Sequence, residues 1–127
     1  MEKQLAIIHA YIDAYNNYDI SGMIQNMQSD IIFENYDAEE LTLSTKGIEE
    51  FETQAKKAAT LFSMRNQQIK GILKNEAENT IEVSITYQGI FAVNMTETLK
   101  KGTKITLEGK SIFYFSDEKI NKIVDKS

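Results

Sequence analysis

Residues 80–93, Thr80-Ile-Glu-Val-Ser-Ile-Thr-Tyr-Gln-Gly-Ile-Phe-Ala-Val93, decide the fold class. Ile81, Val83, Ile85 and Tyr87 alternate with Glu82, Ser84, Thr86 and Gln88. Successive strand side chains point to opposite faces, so this is a strand with one face buried and one wet. Residues 103–116 repeat the pattern, with Ile105, Leu107, Gly109, Ser111, Phe113 and Phe115 on one side. Beyond the polar turn Ser116–Lys119, the positions Ile120, Lys122 and Val124 read as a last strand. Asn75 to Asn79 and Thr96 to Gly102 are the natural hairpin connections. From Met64 onward the period is two.

Upstream of Met64 the period is mostly helical. Across 2–17, Leu5, Ile8, Ile12 and Tyr15 form one row, with Ile7, Tyr11, Ala14 and Tyr18 beside it. So wide an apolar sector suits a helix lying in a concave sheet. Asp19 can cap a short second helix whose stripe is Ile20, Met23, Ile24 and Met27. Residues 30–36 read as a strand, 37–40 as a turn, and Leu41 to Ser44 as a short extended piece. A third helix covers 47–62, with Ile48, Phe51, Ala55, Ala58 and Phe62 on one face. Its acids come early and its bases late, which suits the helix dipole. The expected architecture is α+β: one domain over 1–127, with a curved, mostly antiparallel sheet around three helices. This makes a cone-shaped barrel with an internal pocket, the default place for a ligand.

Composition narrows the function. The 127 residues carry a net charge of −5, with 14 basic against 19 acidic side chains, so no basic surface for nucleic acid is expected. There is no cysteine, which excludes disulfides and a thiol nucleophile, and the single histidine, His9, makes a metal site or metal cofactor unexpected. No apolar run reaches the roughly 20 residues of a membrane span, and the N-terminus lacks a signal-peptide core. A cytoplasmic protein is expected. No phosphate-binding or dinucleotide glycine pattern occurs. His9 and Asp13, one turn apart, read as a surface pair, and the methionines Met23, Met27 and Met64 as core filler.

The segments Tyr11-Ile-Asp-Ala-Tyr-Asn-Asn-Tyr-Asp-Ile-Ser-Gly-Met-Ile24, Ser29-Asp-Ile-Ile-Phe-Glu34, Tyr87-Gln88-Gly89 and Gly109-Lys-Ser-Ile-Phe-Tyr-Phe-Ser-Asp-Glu-Lys-Ile-Asn-Lys-Ile123 resemble the nuclear transport factor 2-like superfamily. Within it they are most similar to the ketosteroid isomerases and the SnoaL-like polyketide cyclases. The isomerases use a carboxylate base and an oxyanion hole made of a tyrosine and a protonated aspartate. By the resemblance the tyrosine falls on Tyr11, the base on Asn35 and the protonated acid on Ser111. The cyclases' acid–base aspartate also falls near Ser111. An amide takes no proton at neutral pH, so the isomerase route is not expected here.

The resemblance and strand parity together place Tyr11, Tyr15, Phe33, Asn35, Val83, Ile85, Tyr87, Ser111 and Phe113 around one cavity. Tyr11 is the candidate hydrogen-bond donor. Asp37, in parity with Asn35, is a candidate displaced base or a solvated turn carboxylate. Three functions stay open: binding of a small apolar or carbonyl-containing molecule, proton-transfer catalysis on a carbonyl compound, and a non-catalytic dimerisation module. No cofactor is implied. Ile112 and Tyr114 break the polar alternation on the outer face and suggest a homodimer contact.

Overall fold

The computed structural model describes all residues 1–127. Its elements are α1 (Glu2–Asn16), α2 (Ile20–Ile24), β1 (Met27–Asp37), β2 (Glu40–Lys46), α3 (Ile48–Ala59), β3 (Phe62–Asn75), β4 (Thr80–Phe91), β5 (Lys104–Ser116) and β6 (Lys119–Lys126). The six strands form one sheet in the order β2-β1-β6-β5-β4-β3. Every neighbouring pair is antiparallel except β1 and β6, which run parallel. β2 and β3 remain the two edges, so the sheet is mixed and curved without closing into a barrel.

Two apolar residues fall in a different element from the sequence reading, for one reason. Met27 is the first residue of β1 and not part of the α2 stripe, and Phe62 opens β3 and does not end α3. An apolar residue at an element junction fits either period, and pairing decides it: Met27 aligns with Ile120 and Phe62 with Phe91. Asp19 caps α2 as expected, accepting from the Gly22 amide at 3.0 Å. Gly47 opens α3 with φ +88°, a conformation costly for any residue with a Cβ.

The core is built from both rows of α1 (Ile8, Tyr11, Ile12 and Ala14), from Phe51 and Ala55 of α3, and from Ile81, Val83, Phe113, Ile120 and Ile123 of the sheet. β6 carries an irregularity that the alternation conceals. Tyr114 pairs with Lys122, but the next residue, Phe115, pairs with Ile120. Asn121 is therefore an extra residue, a β-bulge that resets parity along β6. Ile120 and Ile123 both enter the core, at 1% exposure each. Asp125, two residues after Ile123, faces the same way.

Candidate functional site

Between the helices and the concave face lies a cavity of about 430 Å³. Its wall includes Tyr11, Tyr15, Phe33, Asn35, Ile85, Tyr87 and Ser111, and exposed Leu107, Lys110 and Lys126 mark its opening. Val83 and Phe113, expected in that wall, are not in it. At 0% and 1% exposure they are packed into the core, where the Tyr11 ring meets Phe113 edge-on at 5.6 Å. Asp37 is also absent from the wall. It sits exposed at the end of β1, where its carboxylate accepts from the Ser127 hydroxyl at 2.7 Å.

Asn35 is held by the sheet. A bulge in the β1–β2 pairing leaves Thr42 unmatched, and the Asn35 amide donates to the Thr42 hydroxyl at 2.9 Å. Ser111 is buried, and its hydroxyl donates to Asp125 Oδ1 at 2.6 Å.

Asp125 is the residue that sequence reasoning missed. Its strand is central, with Asn35 opposite on β1 and Ser111 opposite on β5. It lines the cavity, half-buried and partly stripped of water. That desolvation pushes the carboxyl up from 3.8 to about 6, against the pull of the Ser111 hydrogen bond toward the ionised form. Gly109 makes room for this arrangement. A Cβ there would lie 2.8 Å from the Lys126 carbonyl, so only glycine lets β5 pass the end of β6 so closely.

The tyrosines are held as proton donors. Burial raises Tyr11 well above the ordinary phenol range, and the nearby Asp125 charge adds to the effect. Tyr15 and Tyr87 are raised for the same first reason, desolvation, and their hydroxyls share a 3.1 Å hydrogen bond. Gln54, Arg65, Gln67 and Glu108, also missed from sequence, add to the polar part of the wall. No cluster of three or more histidine, cysteine or carboxylate side chains could hold a metal ion. No helix is long and apolar enough to cross a membrane.

A helix-lined cone with an apolar cavity and a few convergent polar groups defines the nuclear transport factor 2-like class. The chain belongs to the SnoaL-like domain family, whose pattern matches residues 8–123. Asp125 lies two residues beyond that match. No curated protein matches the sequence.

Among solved structures, a candidate polyketide cyclase from Xanthomonas campestris pv. campestris superposes with a TM-score of 0.84 at 14% identity, over 99% of this chain and 90% of that one. A protein of the same fold and unknown function from Burkholderia pseudomallei gives 0.81 at 16%, over 98% and 90%. AclR, a candidate hydroxylase from Streptomyces galilaeus, gives 0.77 at 18%, over 98% and 88%. Likenesses at these identities establish the fold.

Proposed function

We propose that the cavity binds a small, mostly apolar carbonyl compound and that Asp125 moves a proton on it. The observation that carries this reading is a carboxyl on the cavity wall that accepts from Ser111 at 2.6 Å and is pushed up to about 6 by burial. A base titrating near the working pH is ionised often enough to accept a proton and basic enough to hold it. Tyr11, kept protonated by burial, would donate to the carbonyl oxygen as negative charge develops there. The proton-moving role left empty at Asn35 passes to the neighbouring strand. Two of the structural neighbours are named for different chemistries, a cyclase and a hydroxylase, which fits one cavity serving several reactions.

The test is deuterium exchange at the α-carbon of cyclic ketones such as 2-tetralone, followed by NMR in D₂O. Wild-type protein is expected to accelerate exchange, with a rate rising as pH passes through about 6. Asp125→Asn is expected to slow it by about 100-fold or more. Exchange at the buffer rate for every ketone, or a rate indifferent to Asp125→Asn, would leave a binding protein without proton transfer.

A cytoplasmic homodimer belongs to the same reading. Ile112 and Tyr114 are half-buried on the outer face, and Lys122 Nζ covers part of the Tyr114 ring at 5.4 Å. Light scattering at micromolar concentration is expected to give a dimer mass, which Tyr114→Lys shifts toward the monomer. A monomer mass for both proteins removes the dimer.

A further inference from the structure

Arg65 is the only arginine in a chain with 13 lysines, and it is 3% exposed. It lies in the cavity wall on β3, between the aromatic rings of Tyr15, 3.8 Å from its guanidinium carbon, and Tyr18, at 4.5 Å. Its Nε donates to the Tyr15 carbonyl at 3.1 Å, while Nη2 is buried with no hydrogen-bond partner. None of the chain's four ion pairs includes it.

A permanently charged guanidinium buried without a counter-charge is costly, and stacking on two rings recovers only part of that cost. The backbone is strained to build the stack. Tyr18 sits at φ +58°, a region uncommon for a bulky side chain, and its hydroxyl is tied to the Phe62 carbonyl at 3.1 Å. Nearby, Tyr15 and Tyr87 spend one hydroxyl proton on their mutual bond and keep one to donate. This end of the cavity therefore offers several donors and a full positive charge, with no carboxylate in ion-pair reach of it. Asp125 does not supply the anion: its carboxylate accepts from Ser111, and no ion pair joins it to Arg65.

We propose that Arg65 anchors a carboxylate or similarly planar anionic group of the ligand, so that the molecule is an apolar monoanion. Its charge would lie at the Arg65 end and its reacting carbon toward Asp125. The proposal rests on the reading of the cavity as a ligand site, and it does not require catalysis. A guanidinium matches a planar anion with two parallel hydrogen bonds, a geometry lysine cannot provide.

The experiment is calorimetric titration with 2-naphthoate and its neutral isostere 2-naphthamide. Wild-type protein is expected to bind the acid at least about tenfold more tightly than the amide, the difference a charge-assisted pair makes. Arg65→Met keeps the length and apolar stem of the side chain, and should bring acid and amide to equal affinity. Arg65→Lys should retain only part of it. The wild-type comparison needs no variant to fold, and the melting temperature of each variant checks that it has folded. Equal binding of acid and amide by wild type overturns the anion anchor and leaves the ligand site standing, as does a preference that survives Arg65→Met. Binding of neither compound overturns both readings.

Discussion

Phe113→Ala is expected to destabilise the fold by about 4 kcal/mol, the cost of a buried aromatic removed from a site that cannot close. The ring is 1% exposed and sits on β5 between Ile81 of β4 and Ile123 of β6, each fully buried or nearly so. Above it, Tyr11 of α1 packs edge-on. Collapse would require α1 to move into the sheet or the strands to part, and the ladder hydrogen bonds on both sides resist the second. For a chain of this size the loss corresponds to a Tm lower by roughly 15 °C. Phe113→Leu, which keeps most of the volume, should cost about 1 kcal/mol. Urea denaturation at pH 7 measures both, and a loss below about 1.5 kcal/mol for the alanine would mean that the helix does collapse onto the sheet.

Asp125→Asn is expected to have the opposite sign at neutral pH and to stabilise the protein. The folded protein holds the Asp125 proton up to about pH 6, while the unfolded chain releases it near 3.8. Between those values the folded state binds more protons, so stability falls as pH rises through the window. Below it the carboxyl is protonated in both states and the penalty vanishes. Asparagine has no such penalty and can still accept from Ser111. The shift is equivalent to about 3 kcal/mol, and contact with cavity water reduces the expected gain at pH 7 to about 2 kcal/mol. Urea curves at pH 7 should show the gain, and curves below pH 4 should not. A variant less stable than wild type at pH 7 would mean that a positive charge holds the carboxylate ionised, and Asp125 would then be a poor base. Paired with the exchange assay, the result separates function from fold, since loss of activity would accompany a gain in stability.

The strands and helices were legible because their patterns are local. The 80–93 alternation survives as β4, with Ile81, Val83 and Ile85 buried, and the α1 rows survive as the inner face of that helix. Tyr11, Asn35 and Ser111, which the resemblance placed at the cavity, are in its wall. Alternation settles which face a residue takes but not how deep it lies. Val83 and Phe113 share parity with Ile85 and Ser111, yet only the second pair reaches the cavity, while the Tyr11 ring of α1 packs on Phe113.

Asp125 and Arg65 needed more. Unbroken alternation from Ile120 and Val124 puts Asp125 on the wet face. The bulge at Asn121, which exists only because β5 and β6 must pair on both sides of it, turns Asp125 inward. One signal for Arg65 was present, a single arginine among lysines, but its meaning depends on neighbours brought from α1 some 50 residues away. By itself the sequence determined the fold class, the family likeness and the faces of most elements, because those follow from short-range period and residue type. The tertiary structure alone decided where the charges stand and how far burial shifts them, because desolvation and pairing depend on what every other segment packs around the group.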